Sequence, residues 1–284
     1  MVYLGAMLIN AVPQRLGSLV PNSAKLPGGC RALAGFAGEV LGQDVHEVPI
    51  GGAESSTVDG IAHREALVAD RASQLLALEA PEGPVLTIGG DCGVEHVPLG
   101  VARFRHGDGL GVLWLDAHPD LNTAETSPSG AFHGMVLRSA LGDGDAEFAA
   151  SPALTPGRAV LAGTRSFDEG ERAAVDDGLA VLAGSADPET VLAALAATGA
   201  DRLYLHLDLD VLDPAEFAAV NYPEDGGITV TALTRLLAAL GDIPVIGAGI
   251  TECTAADRGE VAALGPVLAE IGRLLDGAAS GPPG

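Results

Sequence analysis

Basic residues are scarce in this chain. Lys and Arg together number 15 against 38 Asp and Glu, a formal charge of −23 over 284 residues. A surface of that sign repels phosphate backbones, which excludes nucleic acid as a partner; any charged partner should be a small cation such as a guanidinium or amine. Most of the excess serves as a solvated surface. Aromatic residues are few, with one Trp, three Tyr and six Phe. The core must therefore be built from Ala, Leu, Val and Gly. No apolar run approaches the roughly 18 residues of a membrane span, so the chain should not enter a membrane. The start of the sequence lacks the basic and apolar regions of a secretory signal, which predicts a cytoplasmic protein. Three cysteines, Cys30, Cys92 and Cys253, are widely spaced with no CxxC pair. That excludes a disulfide framework.

What is present is a regular alternation of short apolar runs and amphipathic stretches. Strands are expected over 2–9, 45–50, 84–90, 110–115, 158–163, 179–182, 202–207 and 244–250. Helices are expected over 31–41, 61–79, 94–104, 133–141, 168–176, 188–197, 231–240 and 258–276. Residues 10–30 read as irregular because of Pro13, Pro21, Pro27, Gly28 and Gly29. With no composition break or internal repeat, the pattern predicts an α/β fold: one αβα domain over 1–276 with a mainly parallel sheet of about eight strands. Residues 277–284 are expected to form a flexible tail.

The chemistry is concentrated where strands end. The run Leu110 to Leu115 stops at Asp116-Ala117-His118-Pro119-Asp120, three metal-capable side chains at i, i+2 and i+4. Alternation along a strand can aim all three the same way. The run 201–207 ends in Asp208-Leu209-Asp210, the run 84–90 in Asp91-Cys92, and the run 244–250 in Thr251-Glu252. In a parallel sheet these ends share one rim, where open α/β sheets bind their ligands. So many acids at one place are costly unless cations neutralise them, which points to a metal site rather than to polar loops that merely cap helices.

Gly89-Gly90-Asp91-Cys92, Asp116-Ala-His118-Pro-Asp120 and Asp208-Leu-Asp210-Val-Leu-Asp213-Pro214 resemble the three signature motifs of the arginase/agmatinase (ureohydrolase) family. Those motifs read G-G-D-H, D-A-H-x-D and S-x-D-x-D-x-x-D-P. The resemblance implies a binuclear manganese hydrolase that cleaves a guanidino C–N bond with a metal-bridging hydroxide, releasing urea or a urea analogue. It implies two Mn2+, one held by Cys92, Asp116, Asp120 and Asp208, the other by His118, Asp210 and the bridging Asp116 and Asp208. His133 matches the family's proton-shuttling histidine, and Glu252 the acid that pairs with the guanidinium. Asn122 and Ser129 match positions that hold an α-carboxylate. The family also commonly forms trimers or hexamers.

The departures are specific. Cys92 replaces a histidine ligand, so the site should favour softer metals, and an added negative charge should favour a cationic substrate. Cysteine at this position is similar to a branch that includes the hydroxyarginine amidinohydrolase of D-cycloserine biosynthesis. Ala131 replaces an asparagine and Ser166 an aspartate of the substrate-end set, and Asn221-Tyr222-Pro223 stands in place of a Gly-Thr-Pro stretch. A guanidino compound is the expected substrate, with L-arginine in question. Two alternatives stay open: a lapsed homologue that only binds metal or ligand, and a one-metal deacetylase-like amidohydrolase.

Overall fold

A computed structural model describes residues 7–79, 83–241 and 243–280. Eight strands form one sheet in the order β2-β1-β3-β8-β7-β4-β5-β6. These are β1 (Leu8–Val12), β2 (Val45–Glu47), β3 (Val85–Gly89), β4 (Leu110–Leu115), β5 (Ala159–Ala162), β6 (Val181–Leu182), β7 (Arg202–Asp208) and β8 (Val245–Thr251). Every strand pairing is parallel. Parallel neighbours need crossover connections, and helices supply them on both faces, as the alternating sequence pattern requires.

Period-two alternation sorts the strand residues between two cores. Leu113, Leu115, Leu205 and Leu207 pack with Leu33, Leu236 and Ile271 on one face. Val112, Trp114 and Tyr204 pack with Leu99, Leu137 and Leu161 on the other. The first core is covered by α1 (Leu26–Leu41), α6 (Pro188–Thr198), α7 (Val230–Ala239) and α9 (Gly265–Ser280). The second lies under α3 (His96–His106) and α4 (Val136–Ala140). Helices α2 (Arg64–Ala77), α5 (Glu169–Asp176) and α8 (Arg258–Val261) complete the layers. Among the described residues no helix is long and apolar enough to cross a membrane.

Some boundaries differ from the sequence reading, for local reasons. The first strand lies at Leu8–Val12, and residues 2–6 of the expected 2–9 fall outside the described residues. Helix α1 begins at Leu26, inside the stretch read as irregular, with Pro27 in its first turn, where a missing N–H costs nothing. Gly29 belongs to that helix because a Cβ there would lie 2.0 Å from the Cys253 carbonyl oxygen. The last helix is broken at 262–264, ahead of Pro266, which cannot accept a helix from its N-terminal side without loss. It then runs to Ser280, into the expected tail, while 281–284 lie outside the described residues.

The four central strands, β3, β8, β7 and β4, bring their carboxyl ends side by side. Leu115 pairs with Leu207, Asp208 with Thr251 and Ile88 with Ile250. The next residues along each chain therefore meet on one rim. Gly90 makes the β3 exit possible, since a Cβ there would lie 1.7 Å from the Gln14 carbonyl oxygen. Gly90→Ala is expected to cost at least about 2 kcal/mol, because backbone rather than a flexible side chain must move. Urea denaturation reads the change; a midpoint within error of the parent would show that the turn has room to shift.

Candidate metal centre

Each strand end delivers its side chains by a different local device. At β4 the strand stops at Leu115, and Asp116 continues with its Oδ2 accepting from Trp114 Nε1 at 3.1 Å and its Oδ1 from the His118 N–H at 2.6 Å. Asp120 has a φ of 51°, a left-handed conformation that is rare outside glycine. The turn, not strand alternation, thus brings Asp120 back beside Asp116. At β7 Asp208 caps a helical turn, its Oδ1 accepting from Asp210 N–H at 2.8 Å. Asp210 Oδ1 accepts from Ala117 N–H at 3.0 Å, and its Oδ2 lies 3.0 Å from His118 Nδ1.

At β3 the two side chains of Asp91-Cys92 have separate jobs. Asp91 is buried and pins the turn, accepting from Gln14 Nε2, Gly17 N–H and Gly93 N–H at 2.9 to 3.0 Å. Cys92 faces the cluster, with Sγ 3.0 Å from both Asp208 Oδ2 and Thr251 Oγ1. At β8 Glu252 has a φ of 67°. Its Oε1 accepts from Cys92 N–H at 2.8 Å and lies 3.1 Å from His133 Nδ1, and its Oε2 accepts from Asn221 Nδ2 at 2.7 Å. Of the four described non-glycine residues with positive φ, Asp120 and Glu252 lie at this rim and mark backbone held by its surroundings.

Electrostatics show how crowded the acids are. Burial, with repulsion from Asp210 and Asp116, pushes the Asp208 carboxyl well above the usual range. Burial and the charge of Asp116 put Asp210 at about 6, and the same two causes push Asp120 well up. Burial and Asp208 likewise raise the Cys92 thiol. Burial also works against the Asp116 charge, but the imidazoles of His118 and His206 outweigh it and hold Asp116 below the ordinary value. Such a cluster favours cations.

Three groups of side chains each bring their donor atoms within 4.8 Å of one another. They are Cys92, Asp116, Asp120 and His206; Cys92, Asp208 and Glu252; and Asp116, His118 and Asp210. Asp120 Oδ2 is buried with no hydrogen-bond partner, as a donor atom awaiting an ion would be. Carboxylate oxygen, imidazole nitrogen and thiol sulfur suit divalent transition ions, so the residues fit the metals that the resemblance implies.

Above the cluster opens a cavity of about 300 Å³. His118, Asp120, Asp208, Asp210, His133 and Glu252 line it, together with the expected substrate-end residues Asn122, Ser129 and Ser166. Asn122 is already engaged, donating to Asp168 Oδ2 at 2.8 Å and accepting from Thr126 at 2.9 Å. Asp168 and Glu171, in a run whose sequence is similar to the hydroxyarginine-cleaving branch but which carries no expected site role, also line this wall. Burial raises Glu171 to about 7. The sequence reading does not single out His206, although the signal was there: position 206 is two residues before Asp208 on the same strand face, where the family motif has serine.

Proton linkage gives the metal-free cluster a sign. Unfolded aspartates titrate near 3.8, whereas burial and the Asp116 charge lift Asp210 in the folded protein to about 6, and burial with its acidic neighbours raises Asp208 as well. Between those values the folded state holds more protons, so the stability present at low pH is lost as pH rises. The metal-free protein is expected to melt higher at pH 5 than at pH 8, with Asp208→Asn shrinking the difference. Calorimetry showing a metal-free Tm that climbs from pH 5 to pH 8 would contradict this.

The comparisons with known proteins agree. A model described as the arginase family matches residues 30–265. The arginase of Bacillus caldovelox is 37% identical over 208 residues, covering 66% of this chain and 68% of the relative. The N(omega)-hydroxy-L-arginine amidinohydrolase of Streptomyces lavendulae is 34% identical over 225 residues, covering 77% and 79%. Among solved structures, native arginase from Bacillus caldovelox superposes with a TM-score of 0.80 at 27% identity, covering 95% of this chain and 97% of the other. Family profile, relatives and fold converge with the acidic strand-end cluster: this chain belongs to the arginase family.

Proposed function

We propose that this chain, a hydrolase of linear amidines, uses two divalent ions to cleave the C–N bond of a guanidino or N-hydroxyguanidino group on a small cationic substrate. The observation that carries the reading is the single cavity in which Asp120, Asp208, Asp210 and His118 meet His133 and Glu252. Asp116, His118 and Asp210 would hold one ion, and Cys92, Asp116, Asp120 and Asp208 the other, with Asp116 and Asp208 shared. When bound, the ions supply Lewis acidity that makes water a nucleophile near neutral pH. Manganese is the metal carried over from the family resemblance.

The protein's own groups do the rest. Glu252 presents a buried carboxylate to the planar guanidinium and fixes His133 through the 3.1 Å contact to Nδ1. Burial opposes the charge on His133, but the Glu252 hydrogen bond overcomes it and raises the imidazole's pKa. Biased in this way towards its protonated form, His133 is placed to deliver a proton to the departing amine. Glu252 also anchors the Cys92 backbone, so the guanidinium-reading acid and the metal cluster move as one unit.

At the far end, none of the described residues lining the cavity is Lys or Arg. A substrate carboxylate would meet only neutral donors such as Ser127 and Ser129, while Asp168 and Glu171 suit a cationic amine. This favours a guanidino compound bearing an amine. Self-association as a trimer or hexamer follows from the same resemblance and is readable by light scattering.

Urea or hydroxyurea release across a panel of guanidino compounds tests the reading directly; no release from any of them by protein carrying two ions sinks it. His133→Asn should lower kcat at least about a hundredfold with metal content unchanged. Glu252→Gln should cost a similar factor in kcat/KM, since several kcal/mol attach to a buried charged pair. Near-normal turnover of the glutamine variant would reduce Glu252 to a scaffold for Cys92 and His133.

A further inference from the structure

Two departures from the family's motifs meet at one place. Position 92 carries cysteine where the pattern has histidine, and position 206 carries histidine where it has serine. In the fold the two side chains face each other, with Cys92 Sγ 3.8 Å from His206 Nε2. The same nitrogen lies 3.6 Å from Asp116 Oδ2, too far for a hydrogen bond. Both separations are those of donors on a shared ion. Metal–sulfur and metal–nitrogen distances of about 2.3 and 2.0 Å, at angles near tetrahedral, put the two donors roughly 3.5 to 3.8 Å apart.

The back of the ring is prepared as well. His206 Nδ1 faces Glu95 Oε2 at 3.4 Å, and both residues are fully buried. Neither oxygen of Glu95, nor Nδ1 itself, has a hydrogen-bond partner. A carboxylate behind one imidazole nitrogen fixes the proton there and leaves the other nitrogen's lone pair for a metal. Trp114 stacks on the ring at 3.5 Å between centroids and 18° between planes, and also holds Asp116 through its indole N–H. Space for Glu95 is made by Gly249, where a Cβ would lie 2.0 Å from Glu95 Oε1. So much committed structure behind one imidazole is hard to explain as packing alone.

We propose that His206 is a direct ligand of the ion on the Cys92 side, returning to the site the imidazole that position 92 has lost. Cys92, Asp116, Asp120 and His206 then form a closed sulfur, nitrogen and two-oxygen set, with Glu95 as the positioning residue behind the ring. Such a set prefers zinc, cobalt or cadmium to manganese at this one position. The inference rests on the binuclear reading but goes beyond it, since it moves a ligand and splits the two ions by chemical preference.

The test uses the whole chain loaded with 113Cd and labelled with 15N in its histidine rings. Two cadmium resonances are expected, and the one shifted downfield by thiolate should couple to an imidazole nitrogen. In His206→Ser that coupling should vanish, and affinity for that ion should fall at least about tenfold. Cys92→His with His206→Ser, the family's own pairing, should recover the affinity. A thiolate-shifted resonance with no nitrogen coupling in the parent protein, or no thiolate-shifted resonance at all, overturns the proposal while leaving two-ion binding intact. Failure to bind any cadmium overturns the binuclear reading along with it. The parent measurement decides even if the serine variant does not fold.

Discussion

The convergence of four buried aspartates on the carboxyl rim of β3, β8, β7 and β4 is the constraint to which the rest of this molecule answers. Asp116, Asp120, Asp208 and Asp210 are almost wholly withdrawn from water. In an interior of low dielectric, their mutual repulsion and desolvation are far too large to be carried by ordinary hydrogen bonds. The fold responds locally, with peptide N–H groups aimed at Asp116, Asp208 and Asp210 and imidazoles set against them. It leaves part of the charge unanswered, most plainly at the unpartnered Asp120 Oδ2. Cations complete what the backbone begins.

Arg165 shows how the same rim is closed from above. Its guanidinium donates to the carbonyls of Gly163, Asp210, Val211, Glu224 and Asp225 at 2.7 to 3.4 Å. It therefore ties the exit of β5, the exit of β7 and the 221–227 loop into one unit. That loop carries Tyr222, whose ring meets His118 edge-on at 5.3 Å, and Glu224, whose Oε1 lies 3.6 Å from His118 Nε2. Arg165 does not line the cavity and offers a substrate no clamp. Here its donors are spent on backbone carbonyls, and the pocket keeps its negative character.

The parallel sheet and the acidic rim were both legible in the sequence, because each rests on periodicity and on strand-end position. Continuous apolar runs such as Leu110 to Leu115 imply strands buried on both faces, and parallel connection then forces their ends together. What escaped depends on the third dimension. Pro27 and Gly29 read as breakers in the sequence, yet α1 takes in both, with Gly29 pressed against the Cys253 carbonyl just beyond β8. Asp168 and Glu171 read as a helix start, and they are one, through a reciprocal capping box; only the fold turns that cap towards the cavity. His206 was hidden for a different reason. It sits within an apolar run, one strand layer below the acids, and its partners Glu95 and Trp114 come from distant stretches of chain.

Charge balance links the metal cluster to the choice of substrate. Four aspartates and one thiolate carry more negative charge than two divalent ions neutralise, and a neutral imidazole from position 206 does not alter that sum. The remaining negative charge lies beneath a cavity whose opposite wall adds Asp168 and Glu171. A neutral or anionic substrate would have to be desolvated against this field, whereas a guanidinium with a second amine relieves it on entry. With ions bound, that excess would also make their water less acidic, which on its own would slow the reaction at neutral pH. On the proposed function, a cation held by the acidic residues of the cavity would offset that cost. The acidic rim would, on that same function, both select a cationic substrate and be brought to working charge by it.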